Sequence, residues 1–264
     1  MPDISRKTLR DQRRGLAWWF AGVFALCLVT VLLYPSVGAA PEMELLFEDL
    51  PAVAQVFIGE ILDITSPEGY LNSQLFAFMV PLLFLVYTVG HGAGAIAGEE
   101  AAGTMDLLLA NPVPRWQVVI EKFGAMSAGT VVLAAATWLS LALGAVLVDM
   151  ELSLLRLFEV TLAALLLGYL FGAFALMLGC VSGRRGMSIG VSAGVAVATY
   201  LLNGFALIID WLEPFRILSP FYFYAGNDPL VNGLDFVHTL VLIALTGLCL
   251  AAAVAGFQRR DVQV

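Results

Sequence analysis

The sequence predicts an all-α polytopic membrane protein with six transmembrane helices. Of its 264 residues, 60% are hydrophobic and 13% are charged, with a mean hydropathy of +0.90. A soluble domain of this size needs a more polar surface. Six windows exceed the ~18 uncharged residues that a spanning helix requires, and the alternation of membrane β-strands is absent. The predicted spans are residues 16–34, 75–97, 123–148, 160–181, 187–209 and 236–257.

The basic residues predict the orientation of these spans. With six spans, eleven of the thirteen Lys and Arg residues fall on one side, and only Arg156 and Arg216 fall on the other. Basic residues favour the cytoplasmic side of a plasma membrane, so both termini are expected there. Residues 35–74 and 210–235 then form the extracellular segments. The net charge of −8 arises largely from these outer segments and argues against nucleic-acid partners.

The N-terminal residues 1–15 form a basic, amphipathic stretch. We predict a cytoplasmic helix along the inner leaflet, where each Lys or Arg near anionic lipid contributes about 1 kcal/mol. The apolar run that follows could instead be a signal peptide, because residues 37–40 resemble a cleavage site. Its length and the interfacial pair Trp18–Trp19 favour a retained first span.

The two outer segments differ in character. In residues 35–74, apolar residues recur at helical spacing with a break at Pro51, which predicts two short amphipathic helices. Ser66, Pro67 and Glu68 then have the pattern of a helix start that opens span two. Residues 210–235 are rich in proline and aromatic residues and are too apolar for a solvated loop. They predict either an aromatic belt or a re-entrant segment buried against protein.

Glycines repeat every four residues in three of the spans. Such a repeat lies on one helix face and lets a neighbouring helix approach closely. The pattern predicts tight packing of the bundle, or alternatively surfaces on which helices slide in a moving transporter. The residues are Gly90, Gly94, Gly98, Gly168, Gly172, Gly186, Gly190 and Gly194.

A polar island, residues 98–115, separates spans two and three. Thr104 is placed to cap a helix beginning at Met105, and Met105, Leu108 and Leu109 form a small apolar knob. So short a helix is unstable alone, so something must pack on it: a cytoplasmic partner, the membrane surface or the bundle itself. Charges and helix-stop residues flank the knob at Glu99, Glu100, Asp106, Asn111 and Pro112.

This island resembles the membrane subunit of ABC-2 type transporters. That family carries an acid-acid-x-x-Gly-Thr-φ-acid-x-Leu-Leu element followed by Pro-Val-x-Arg. The resemblance extends over nearly the whole chain, and the visible departure is Pro114, where the family often has Ser. The matching residues are Glu99, Glu100, Gly103, Thr104, Met105, Asp106, Leu108, Leu109, Pro112, Val113 and Arg115.

The resemblance implies the permease subunit of an ATP-driven transporter with the ABC-2 exporter topology. The short cytoplasmic helix would be a coupling helix docked on a separate ATPase, present in two copies that bind ATP and Mg. A second permease subunit, identical or related, would complete the pathway within membrane lipid. The segment before span six would form short re-entrant helices, with Pro220, Tyr222 and Pro229 among their residues.

The chain itself has no motif for catalysis. It lacks a Gly-x-x-x-x-Gly-Lys-Ser/Thr run, and it lacks the zinc, serine-hydrolase and thiol motifs, so we expect no cofactor on this chain. An ion-coupled secondary transporter or channel is one alternative, but the ionisable residues His91, Glu159, Asp210 and His238 lie near span ends. A membrane scaffold that recruits a cytoplasmic partner is another. Only ATP-dependent substrate movement distinguishes a scaffold from a transporter.

Overall fold

The computed structural model describes residues 3–38, 66–104 and 114–260, and it is helical throughout these ranges apart from turns. Six helical stretches there are long and apolar enough to cross a membrane, which confirms the predicted all-α, six-span fold. The α-helices are α1 Asp3–Gly38, α2 Pro67–Leu71, α3 Met79–Ala95, α4 Ala97–Ala101, α5 Arg115–Leu147, α6 Leu154–Ser182, α7 Arg185–Phe205, α8 Pro220–Ala225 and α9 Phe236–Arg259.

The spans correspond to these helices in chain order: α1, α2 with α3, α5, α6, α7 and α9. Helix bounds differ from the hydropathy windows in several spans. Spans two, three and four begin before their windows, at Pro67, Arg115 and Leu154. Two further differences, in spans one and five, have a local cause. The basic N-terminal stretch and span one form a single uninterrupted helix, because good helix formers continue through Gly15 with no proline before Pro35. Span five ends at Phe205 and not at residue 209, because bonds of the 3₁₀ type from Leu207 and Ile208 tighten its last turn.

Span two is irregular in its outer third. Ser66 caps α2 by accepting a hydrogen bond from the Gly69 amide at 3.1 Å, which confirms the predicted helix start. A π-helical turn, Asn72–Phe76, then joins α2 to α3. Pro81 has no N–H group, so it cannot donate to the Ala77 carbonyl four residues earlier. Beside that position, the Tyr224 hydroxyl donates to the Phe76 carbonyl at 2.8 Å.

Span four is the centre of the bundle. Its most apolar stretch is 67% buried inside the protein, against 17% for spans one and six. Helix α6 packs against α3, α5, α7 and α9, while α1 packs mainly along α5. Spans one and six therefore lie at the periphery, where lipid or other subunits can reach them.

The backbones of spans two and four approach each other closely. A Cβ atom at Gly92 would overlap the backbone carbonyl of Gly172, so only glycine fits there. This contact brings α3 and α6 together at the level of the buried Thr88, whose hydroxyl is bonded within its own helix to the Phe84 carbonyl at 2.9 Å. Spans two and four thus form a closely packed pair.

Two predictions lie outside the described residues. One is the pair of amphipathic helices within the outer segment 35–74, of which the structure describes residues 35–38 and 66–74. The other is the short cytoplasmic helix that begins at Met105. The structure describes the chain on both sides of that helix, up to Thr104 and from Pro114 onward.

Candidate coupling site

The segment that follows span two ends in a compact cap. Helix α4 stops at Ala101, and Gly103 adopts a positive φ of 66°, the left-handed conformation typical of a helix C-terminus. The amides of Gly103 and Thr104 donate to the carbonyls of Glu100 and Glu99, each at 3.0 Å. The Thr104 hydroxyl also contacts the Glu99 carbonyl and carboxylate. Thr104 therefore closes the preceding helix; the predicted cap on the helix from Met105 involves residues beyond those described.

Glu99 pairs with a base in span three. The Lys122 Nζ atom lies 2.6 Å from Glu99 Oε1, and the Lys122 side chain is only 7% exposed. A buried lysine needs a counter-ion, because an unpaired charge out of water is costly. Glu99 supplies that counter-ion and fixes α4 against α5.

Glu100 pairs with a base at the end of span six. The Arg260 guanidinium contacts the Glu100 carboxylate and also donates to the Cys180 carbonyl, at 3.2 Å, near the end of span four. Gly183 makes room for this guanidinium, because a Cβ atom at that position would overlap it. Gly183 also has a φ of 63°, which ends α6 and which glycine adopts without strain. One arginine thus joins the ends of spans two, four and six.

Arg115, at the start of span three, faces the same helix end. Its Nη1 atom donates to the carbonyls of Phe257 and Arg260, at 3.1 and 2.6 Å. Its guanidinium also lies over the Phe257 ring, 5.6 Å from the centroid. These bonds satisfy carbonyls that the end of α9 leaves without helical partners.

We call Glu99, Glu100, Arg115, Lys122 and Arg260 the ion-pair network. It joins the ends of spans two, three, four and six around the segment that leads into the polar island. The sequence predicted the two acids and Arg115 as residues that a partner contacts, whereas the structure places their charged groups in contacts within the chain. Lys122 and Arg260 were missed as site residues; their only sequence signal was the basic bias used for orientation.

The remaining predicted residues of this site lie outside the described part of the chain. They are Met105, Asp106, Leu108, Leu109 and Pro112. The chain leaves the network at Thr104 and returns to it at Arg115. The undescribed residues between them are therefore tied to the network at both ends.

The predicted glycines fall into three groups. Gly168 faces Phe84 and Thr88 of span two, and Gly172 faces Met126 of span three as well as Thr88. At Gly90 and Gly98 a Cβ atom would meet nothing within 4 Å, and at Gly94 it would meet only the Arg185 side chain. Gly186, Gly190 and Gly194 lie on an exposed face of α7, with no neighbour within 4 Å among the described residues. Gly92, which packs against the backbone of Gly172, lies outside the four-residue repeat and was missed.

The segment before span six contains a 3₁₀ helix, Asp210–Leu218, and helix α8. Pro220 is the first residue of α8, and Ser219 anchors that helix by donating to the Thr199 carbonyl at 2.7 Å. The Tyr222 ring lies 5.1 Å from the His238 ring, and Pro229 is buried in the following turn. Burial raises the pKa of the Tyr224 hydroxyl, so it stays protonated as a hydrogen-bond donor.

Comparison with known proteins gives consistent results. The family model described as ABC-2 family transporter protein matches residues 3–262. A protein of Stutzerimonas stutzeri named "Probable ABC transporter permease protein NosY" is 28% identical over 290 residues, with 98% of each chain covered. A protein of the same name from Pseudomonas aeruginosa is 33% identical over 303 residues, again with 98% of each chain covered.

Proposed function

The chain belongs to the ABC-2 family of transporter proteins as a membrane permease subunit, and we propose that it works as an exporter driven by a separate ATPase. In this proposal two ATPase copies bind ATP and Mg on the cytoplasmic side. A second permease subunit, identical or related, completes the pathway. Both termini of this multi-pass inner-membrane protein lie in the cytoplasm.

The observation that carries the proposal is the ion-pair network. Glu99 and Glu100 hold the segment that leads into residues 105–113 against the ends of spans three, four and six. A force applied to residues 105–113 would therefore reach four spans at once. Without these ion pairs the same force would act only on the connection between spans two and three. The acid pair thus serves as the anchor of the coupling helix, and Met105, Leu108 and Leu109 as its apolar contact with the ATPase.

Alternating access requires that ATP binding favour one permease conformation over the other. A coupling free energy of about 1–3 kcal/mol between two sites is typical of such a linkage. A pair of charge-assisted hydrogen bonds, each about 1.5–3 kcal/mol, is strong enough to keep the segment attached while that energy is transmitted. The glycine contact between spans two and four lets these helices move as one unit.

The first experiment is a mild-detergent purification of the tagged chain from its native membrane, with mass spectrometry of what accompanies it. A near-stoichiometric ATPase with a phosphate-binding loop is the expected result. Purification of the chain alone, even after crosslinking from a cysteine at Asp106, would overturn the proposal.

The second experiment tests the anchor. In the reconstituted complex, Glu100→Arg should lower permease-dependent ATP hydrolysis and abolish the ATP-dependent change in labelling of Val231→Cys, an exposed outer residue. The exchange Glu100→Arg with Arg260→Glu should restore both. The pair Arg156–Glu159, with an Nη1–Oε2 distance of 2.9 Å at the opposite end of span four, provides the matched control, and Glu159→Arg should leave both readouts unchanged. An equal loss in Glu100→Arg and Glu159→Arg would contradict a special role for the network.

A further inference from the structure

A groove between spans one and two is polar at one end and apolar at the other. Its polar end is a cavity of about 510 Å³ whose walls include Gln12, Tyr87, His91, Lys122 and Arg185. Its apolar end is a cavity of about 470 Å³ formed by Trp18, Gly22, Val23, Leu26, Met79 and Leu83. Trp19 lines both cavities, so they lie next to each other along α1, and we refer to the two together as the groove. Trp18 is 80% exposed and Val86 is 53% exposed, so its side is open at the protein surface.

The polar end carries a basic side chain that has no carboxylate partner among the side chains that the structure describes. The Glu99 carboxylate is there, but Lys122 pairs with it at 2.6 Å, so together they are neutral. The Arg185 guanidinium lies beside Gly94, and none of the ion pairs between described side chains involves it. An anionic group would complete this site.

Two further polar groups there also lack partners. The Tyr87 hydroxyl and the Gln12 carbonyl oxygen are buried, and neither finds a hydrogen bond among the described residues. Leaving such groups unbonded costs about 1–3 kcal/mol each. The first can donate to a phosphate oxygen and the second can accept from a headgroup hydroxyl.

The glycine repeat of span two acquires a role in this groove. Gly90, Gly94 and Gly98 line the polar cavity, and among the described residues neither Gly90 nor Gly98 has a neighbour that a Cβ atom would touch. These glycines therefore leave space for the cavity on this face of span two, and no neighbouring helix among the described residues packs into that space. Larger side chains at these positions would fill the cavity.

The length of the groove matches one leaflet. Gln12 and Leu26 are fourteen residues apart on the continuous helix α1, which is about 21 Å at 1.5 Å per residue. Half a bilayer, headgroups included, is also about 21 Å thick. Trp18 and Trp19, of the residue type enriched at the membrane interface, lie midway between the polar and apolar ends.

We propose that this groove binds a phospholipid with an anionic headgroup, of the phosphatidylglycerol type. The phosphate lies near Arg185 and the Tyr87 hydroxyl, and an acyl chain follows Gly22, Val23 and Leu26. The assignment of this lipid to the cytoplasmic leaflet rests on the orientation given under the proposed function. The binding of the lipid does not depend on that orientation. A second copy of the chain is the competing occupant, but an apolar protein surface would leave the Arg185 charge uncompensated.

Native mass spectrometry of the full chain, titrated with phosphatidylglycerol or phosphatidylcholine, tests the proposal. Arg185→Gln should weaken phosphatidylglycerol binding about fivefold, since one basic side chain near anionic lipid is removed. The neighbouring Arg184→Gln is the matched control, because both arginines are exposed but Arg184 does not line the groove. Gly90→Leu should abolish binding by filling the cavity, while Gly124→Leu, at an exposed glycine of span three, should leave it unchanged.

Three results would overturn the proposal. Equal retention of phosphatidylcholine would mean annular lipid without headgroup selection. Displacement by millimolar inorganic phosphate would indicate a site for a soluble anion. A disulfide between Val86→Cys residues of two copies in the native membrane would place a second subunit over the groove. Each readout is independent of transport and of the ATPase, so failure here leaves the proposed exporter function intact.

Discussion

Replacing Glu100 by glutamine removes one charge of the contact that joins spans two and six. The side chains of Glu100 and Arg260 are 10% and 22% exposed, so the pair lies between a surface ion pair and a buried one. Exposed pairs contribute about 0–1 kcal/mol, and removal of one buried partner costs about 3–5 kcal/mol. We expect Glu100→Gln to lower the free energy of unfolding by about 2 kcal/mol. For a chain of this size that corresponds to a midpoint about 4–8 °C lower.

Arg260→Gln should lower the free energy of unfolding by about 1 kcal/mol more than Glu100→Gln does. The reason is that Arg260 also donates to the Cys180 carbonyl, which loses its donor in this variant. The double variant should cost less than the sum of the two singles, by a coupling energy of about 1–2 kcal/mol. Thermal unfolding, followed by tryptophan fluorescence in one detergent, gives the unfolding midpoints of the wild type, the two single variants and the double variant.

The adjacent Arg259 is the matched control. It is exposed at the end of the same helix, so Arg259→Gln should leave the midpoint unchanged. Additive single effects, with coupling below about 0.5 kcal/mol, would refute the contact. An Arg259→Gln effect as large as that of Arg260→Gln would refute it as well.

Gly183 probes the same contact from the opposite side. Gly183→Ala adds a Cβ atom that overlaps the Arg260 guanidinium and strains a backbone with φ of 63°. We expect Gly183→Ala to lower the free energy of unfolding by about 1–3 kcal/mol. The same thermal unfolding experiment measures this loss. Gly186→Ala should be neutral, since its Cβ atom meets nothing within 4 Å. Equal midpoints for the two variants would contradict this account.

Three more predictions concern other parts of the molecule. Gly92→Ala should lower the unfolding midpoint by forcing spans two and four apart, while Gly90→Ala, two residues away in open space, should not; equal midpoints would refute the close contact. Tyr224→Phe should cost about 1 kcal/mol by removing its bond to the Phe76 carbonyl. Burial raises the pKa of Tyr224 above its unfolded value of about 10, so above pH 10 the tyrosine ionises first in the unfolded wild-type chain and stabilises that state. The difference in unfolding free energy between the wild type and Tyr224→Phe should therefore stay constant below about pH 9 and narrow above pH 10. Met105→Asp should uncouple ATP hydrolysis from transport without unfolding the spans; unchanged transport with the ATPase still bound would disprove it.

The six spans were predictable from sequence because the bilayer imposes a length and a polarity on every spanning helix. The start of span two at Ser66 was predictable for a similar reason, since a helix cap depends on neighbouring residues only. Residues 206–209 were assigned to span five because hydropathy does not register a helix end that lies within an apolar run. Likewise, no apolar pattern marks the junction of residues 1–15 with span one.

The ion-pair network was not predictable, because its members are far apart in sequence. Glu100 and Arg260 are separated by 160 residues, and no periodicity relates them. Local reasoning took Glu100 for a charge offered to a partner, since its own neighbourhood supplies no base. The glycines show the same limit: the repeat identifies a face of span two, but only the structure distinguishes the open face at Gly90 from the close contact at Gly92.

Span six is the last to be synthesised, and the order of synthesis therefore governs when the network is complete. Glu99 can meet Lys122 as soon as span three is inserted, but Glu100 and Arg115 must wait for Arg260 and the end of α9. Until then the connection between spans two and three is attached on one side only. If the proposed function holds, a chain whose last span has not inserted would present no fixed coupling segment to an ATPase. Recruitment of the ATPase would then depend on complete membrane insertion.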